Sequence, residues 1–228
     1  MRKNGSRLIS LRQYRLTDML IFGAILIVYD LLAHYALIAM PEGANFTFTL
    51  TVPIVLLIMM RWGWWSVFFA VGDGLMISLV NNTTVWQSYV SYIIGNSFIM
   101  LLLIAIKFMG KQKIAGKWYF SAVFVILAWG LMNLGITSLQ AICGYSFALS
   151  AAYNFGFGTT GLMSLAAALV IILVMRRLEG MFEDQVQYLK RLDKERKDME
   201  KRDEYGDEPI EIDEDTLSIL RKRDEELE

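Results

Sequence analysis

The sequence predicts an all-α membrane protein: a six-transmembrane-helix bundle with both termini cytoplasmic and a charged tail, helical at first and disordered beyond. Three observations predict it. Apolar runs of about 20 residues recur, more than a soluble domain needs, in a chain that is 55% hydrophobic with a mean hydropathy of +0.42. The basic residues of the body fall in alternate connections between those runs. The charge also changes sign along the chain. Residues 1–175 hold ten Lys/Arg and four Asp/Glu, whereas 176–228 hold twelve and nineteen.

Residues 1–16 form a basic cytoplasmic segment with Arg2, Lys3, Arg7, Arg12 and Arg15. The apolar run that follows is too long for a signal-peptide core and has no convincing cleavage site, so it reads as a retained span. The membrane domain, 17–177, holds six spans. The first covers 19–40 and stops at Pro41. The second covers 46–60, with Pro53 expected to kink it, although 46–51 alternates like a strand. The third covers 64–80, the fourth 86–106, the fifth 118–141 and the sixth 146–175. Spans two and three are short for a bilayer. Residues 178–202 read as a charged cytoplasmic helix with a short apolar stripe of Phe182, Val186, Leu189 and Leu192. Residues 203–228 are acidic and read as disordered, apart from a short helix that Asp215 could cap.

Arg61, the group Lys107, Lys111, Lys113 and Lys117, and Arg176 with Arg177 lie on one side of a six-span chain; the other three connections carry no Lys or Arg. The positive-inside rule makes that side cytoplasmic and the protein a multi-pass cell-membrane protein. Trp62, Trp64, Trp65, Trp118 and Tyr119 then form an aromatic belt at the cytoplasmic interface. Sequons at Asn45, Asn81 and Asn82 fall outside.

Polar residues inside the spans supply the functional candidates. Trp129, Asn133, Thr137 and Gln140 share one face of the fifth span. Ser88, Tyr92 and Asn96 share a face of the fourth. Asp30 and His34, four apart on the first span, can pair, and Asp73 sits mid-span between Gly72 and Gly74. Each has a plainer reading: interhelical hydrogen bonding for the amides, a structural pair for Asp30 and His34, and a backbone cap in tight packing for Asp73. With the orientation above, the polar groups gather in the outer halves of spans one, four, five and six, while 100–106, 120–128 and 165–174 are hydrocarbon. That arrangement describes a pocket open outward and sealed inward. Its expected substrate-binding residues are Asp30, His34, Trp86, Tyr92, Asn96, Trp129, Asn133, Gln140, Tyr153 and Asn154. Gly156, Thr160, Ser164 and Ala168 recur every four residues, a small-residue packing face.

One His and one Cys exclude an internal disulfide and a His/Cys metal site. No P-loop, H-E-x-x-H or G-x-S-x-G motif is present. An Asp–His pair without a nucleophile does not make an enzyme, and no cofactor, metal or nucleic acid is expected. No long inverted repeat with broken helices is visible, which weakens a secondary-transporter reading; the three ionisable groups at membrane depth keep proton coupling open.

The basic lead into RLTDMLIFGAILIV, the run FTFTLTVPIVLLIMM, the tight turn RWGWW and the stretch VFFAVGDGLMISLV, over roughly 7–178, resemble the substrate-binding S component of energy-coupling-factor (ECF) vitamin transporters. The resemblance implies a six-helix bundle that captures a vitamin-like small molecule near its outer surface and relies on a membrane T component and two ATPase subunits for energy. The Ala-x-x-x-Ala docking motif of many members is absent: Ala24 is followed four residues later by Val28, and Ala33 by Leu37. The rival class is a membrane scaffold resembling MreD, which would recruit partners through the tail.

Overall fold

A computed structural model describes residues 11–39, 48–80, 86–157, 160–178 and 180–205. The described residues are helical, with no strand among them. The chain divides into two units, 1–188 and 189–228. Among the described residues, four helical stretches are long and apolar enough to cross a membrane: Leu11–Ala36, Thr51–Leu79, Trp86–Met109 and Trp118–Ile142. The sequons, Glu42, the Pro41 stop and residues 206–228 lie outside the described residues.

Helix α1 runs from Leu11 to Ala39, so the last part of the expected basic segment is already helical. Helix α2, Thr51–Trp62, is shorter than the expected second span and begins five residues later. All twelve of its residues are buried, as befits a helix apolar on every face. It is the centre of the bundle. Pro53 does not kink it. It occupies the first turn, where backbone N–H groups have no helical partner, so its missing N–H costs nothing.

At Gly63 the chain turns back. Its φ of 64° lies in the left-handed region, which a residue without a Cβ enters freely. A short 3₁₀ turn, Gly63–Ser66, leads into α3, Val67–Val80. Thr51 Oγ1 lies 2.6 Å from Asp73 Oδ2 across this turn. In one straight helix those residues would stand about 33 Å apart. The Thr51–Leu79 stretch is therefore an antiparallel hairpin with Arg61–Trp65 at its tip.

Helix α4, Trp86–Ser97, continues through a 3₁₀ stretch into α5, Leu102–Met109. The short α6, Lys111–Gly116, leads into α7, Trp118–Ile142. Glycines let three of these helices touch through their backbones. A Cβ on Gly74 would stand 2.5 Å from the Tyr92 carbonyl oxygen, and one on Gly95 2.7 Å from Ile136 Cα. The reciprocal position, Gly135, faces the Gly95 carbonyl at 2.7 Å. Gly72, by contrast, meets nothing, so only one of the two glycines beside Asp73 serves packing.

The expected sixth span is not one helix. It comprises α8, Phe147–Ala152, a π-helical turn, Tyr153–Phe157, a non-helical pair at 160–161, and α9, Leu162–Met175. Thr160, Ser164 and Ala168 are buried, as the small-residue face requires. Residues 48–50, at the start of the expected second span, are non-helical, as the strand-like alternation of 46–51 left open. The sequence reading of an unbroken sixth span is corrected.

One end of the bundle is basic and closely tied. Arg61 forks onto Asp18 at 2.7 and 2.8 Å, and Trp62 Nε1 donates to the same carboxylate. Arg61 Nη1 also donates to the Gly180 carbonyl, 2.8 Å away. Lys111 pairs with Asp184, and Arg176 reaches the carbonyls of Ala115 and Gly116. Arg15 stacks on Trp65, while Trp64, Trp118 and Tyr119 are exposed. Trp62 is buried and hydrogen-bonded, so it leaves the expected aromatic belt.

Phe182 of the expected tail stripe is buried before any helix begins, and helix α10, Gln185–Tyr205, starts later than predicted. Asp184 caps it, accepting the Val186 N–H at 3.0 Å. Beyond 188 the described helix is charged and solvent-facing, with Arg191 and Glu195 paired one turn apart.

Candidate functional site

Helix geometry places the polar groups at one level. Asp30 lies twelve residues beyond Asp18, Asp73 ten beyond Gly63, Asn96 thirteen before Met109, Trp129 eleven beyond Trp118, and Ser164 twelve before Arg176. At 1.5 Å per residue, all fall about 15–20 Å from the basic end. The non-helical residues 48–50 sit at the same level, and the break at 160–161 lies a little beyond it, about 22–24 Å from the basic end.

Those breaks explain much of the polarity. Backbone groups released from a helix need partners, above all at membrane depth. Trp129 Nε1 donates to the Thr160 carbonyl at 2.7 Å and lies 3.2 Å from that of Gly161. Asn133 Nδ2 donates to the same Thr160 oxygen at 3.0 Å. At the other break, the Thr49 N–H donates to Ser164 Oγ at 2.9 Å, and Tyr29 donates to the Phe48 carbonyl at 3.0 Å. The Trp129–Gln140 stripe thus binds α7 to the interrupted sixth segment. Trp129 is only 9% exposed, and its ring meets Phe155 edge-on. Asn154 Nδ2 completes the seam by donating to Gln140 Oε1 and Thr137 Oγ1, at 2.8 and 3.1 Å.

Asp73 is fully buried at the centre of a second group. Thr51 Oγ1 and Asn96 Nδ2 donate to its Oδ2 at 2.6 and 2.9 Å, and Thr49 Oγ1 lies 3.5 Å from Oδ1. The Asp30 carboxyl comes within side-chain hydrogen-bonding reach of Asp73. The expected pairing of Asp30 with His34 is therefore corrected. Asp30 points to α3, where its partner is another carboxyl, and the His34 ring packs edge-on against Tyr35. The backbone-cap reading of Asp73 also gives way, because its partners are side chains.

The predicted residues divide accordingly. Asp30 and Asn96 join Asp73. Trp129, Asn133, Gln140 and Asn154 join the seam, and Tyr92 lies beside Gln140. Trp86 is 66% exposed and Tyr153 55%, both outside any polar cluster. His34 joins neither group. Sequence reasoning missed Thr49, Thr51, Ser164 and the Thr160 carbonyl. The three side chains had a signal: the Phe-Thr alternation of 46–51 is exceptional in an apolar span, and Ser164 belongs to the small-residue stripe.

Four buried side-chain oxygens near these groups have no hydrogen-bond partner among the described residues: Asp30 Oδ2 and Oδ1 of Asn96, of Asn133 and of Asn154. Among the described residues, no three His, Cys, Asp or Glu side chains converge. A groove of about 650 Å³ lined by residues such as Trp64, Ile94, Leu101 and Ile104 lies on the apolar outer surface of α4 and α5, away from both polar groups. Compared with known proteins, the chain matches no protein family, no curated protein and no solved structure.

Proposed function

We propose that the chain is the substrate-capturing membrane subunit of an ECF-type uptake transporter, crossing the bilayer six times with both termini cytoplasmic. In this reading the basic end faces the cytoplasm. A separate T component and two ATPase subunits supply the energy. The observation that carries the reading is the pair of unpartnered amide oxygens of Asn133 and Asn154, buried along one seam beyond the apolar inner half. A buried acceptor without a partner costs about 1–3 kcal/mol. A small ligand with N–H or O–H donors satisfies both oxygens, and Tyr153 and Trp86 offer exposed rings on the outward side.

Native mass spectrometry of the gently purified protein, with a thermal-shift panel of vitamins and related metabolites, tests this. A bound small molecule is expected, together with a stabilising shift that Asn154→Leu removes while size-exclusion behaviour is retained. No bound molecule and no shift across the panel overturn the reading.

An MreD-like scaffold is the second reading, favoured by the fact that the donors of Trp129 and Asn133 are already engaged by backbone. Truncation separates the two. The cut belongs after Tyr188, because Gly180, Asp184 and Gln185 are built into the inner end of the bundle. Loss of 189–228 leaves ligand capture intact in a transporter subunit and abolishes partner recruitment in a scaffold.

A further inference from the structure

The carboxyl pair is not explained by solute capture through the seam. Asp30 and Asp73 approach within hydrogen-bonding reach, and among the described residues the basic groups of α1 and the hairpin tip are engaged elsewhere. Arg61 is committed to Asp18 at the basic end. Arg15 stacks on Trp65 at that same end. His34, one turn beyond Asp30, packs on Tyr35. Tyr29 donates to the Phe48 carbonyl. Two buried carboxyls without a basic partner call for a proton or a cation between them.

The surrounding atoms indicate what kind. Thr49 Oγ1, Thr51 Oγ1, Asn96 Oδ1 and the four carboxylate oxygens are all hard oxygen donors, drawn from α1, the break before α2, α2 itself, α3 and α4. Two of them lack any partner. Asp30 is 8% exposed with Oδ2 unpaired, and Asn96 is 0% exposed with Oδ1 unpaired, its amide held against the cluster by the Nδ2 bond to Asp73. A shared proton would relieve the repulsion and can satisfy Asp30 Oδ2, but it leaves Asn96 Oδ1 bare. A small monovalent cation meets both demands at once. One positive charge leaves a single net negative charge, which the donors from Thr51 and Asn96 to Asp73 stabilise. Hard oxygen ligands suit a hard cation such as Na⁺.

We propose that Asp30, Asp73, Thr49, Thr51 and Asn96 form a binding site for one dehydrated Na⁺ ion. The site does not depend on the solute reading, since it lies on other residues. It joins α1 to the α2–α3 hairpin and α4 through a single ion.

The test is ²²Na⁺ binding to the full chain in lipid nanodiscs, with choline replacing Na⁺ at constant ionic strength. Saturable binding of one ion per chain is expected, displaced by unlabelled Na⁺ and not by choline. Asp30→Asn removes one charge while giving Asp73 a donor, so the fold is kept and Na⁺ binding is lost. Thr51→Val weakens binding at least about tenfold and serves as the second variant should Asp30→Asn fail to fold. Asp184→Asn, at the basic end, leaves binding unchanged. Absence of saturable Na⁺ binding, with stability that answers to pH alone, overturns the proposal in favour of a shared proton. Equal binding by wild type and both cluster variants overturns it as well.

Discussion

The Thr160 carbonyl receives two donors, and this convergence makes a quantitative prediction. Trp129→Phe removes the 2.7 Å bond and some packing on Phe155, and leaves Asn133 to serve the oxygen. Its expected cost is about 1–2 kcal/mol, chiefly lost ring volume and the weaker contact to Gly161. Asn133→Leu removes the 3.0 Å bond but also the unpartnered Oδ1, so the two effects oppose and the net change stays within about 1 kcal/mol of zero. In the double variant the carbonyl has neither donor. The penalty for a bare buried carbonyl then appears for the first time, as a coupling of about 1–2 kcal/mol beyond the sum of the single changes. Measured interhelical hydrogen bonds in membranes reach about 1.7 kcal/mol at most, so the lower half of that range is the firmer expectation. Equilibrium unfolding in mixed micelles, followed by circular dichroism over the four-member cycle, measures it. Additivity within about 0.5 kcal/mol would refute the shared-carbonyl account.

Three other expectations follow from the packing and the proposed orientation. Gly74→Ala drives a methyl into the Tyr92 carbonyl and should cost about 1–3 kcal/mol, whereas Gly72→Ala, with open space around it, should be nearly silent; equal thermal shifts would contradict the α3–α4 backbone contact. Arg61→Ala leaves Asp18 without its charge partner at a buried site and should cost about 3–5 kcal/mol, with Arg61→Lys recovering only part because a lysine cannot fork onto both carboxylate oxygens; full recovery by lysine would show that the two-pronged geometry is unimportant. Cys143, just past α7, should react with an impermeant maleimide on intact cells, and a cysteine placed at Lys113 only after permeabilisation; the reverse pattern would invert the proposed topology.

Hydropathy and the Gly63 turn made the course of the chain legible as far as α7. Trp62-Gly63-Trp64 marked the tip of a hairpin, and the flanking apolar runs gave its limbs. The break at Thr160-Gly161 was not legible. It sits in a stretch whose average hydropathy is that of a span, and a break is visible only once its freed carbonyls and N–H groups have found partners elsewhere. Residues 48–50 did carry a signal, the strand-like Phe-Thr alternation of 46–51. The stripe on α7 could be placed on a face, but its target is a backbone oxygen, which carries no residue-type signature. The same limit misassigned Asp30. Spacing along one helix offered His34, while the true neighbour, Asp73, is brought in by the hairpin fold from 43 residues away. The level of the polar groups, by contrast, was readable, because a fixed rise per residue converts sequence position into depth.

The Asp18–Arg61–Gly180 junction also sets an order of events during synthesis. Asp18 leaves the ribosome on the first helix, and the arginine it pairs with in the finished protein lies 43 residues later, at the tip of the hairpin. Arg61 in turn waits for the carbonyl of Gly180, 119 residues further on. A chain stalled inside α9 therefore holds an arginine short of one of its acceptors, and the bundle is closed only by a segment that follows its last apolar stretch.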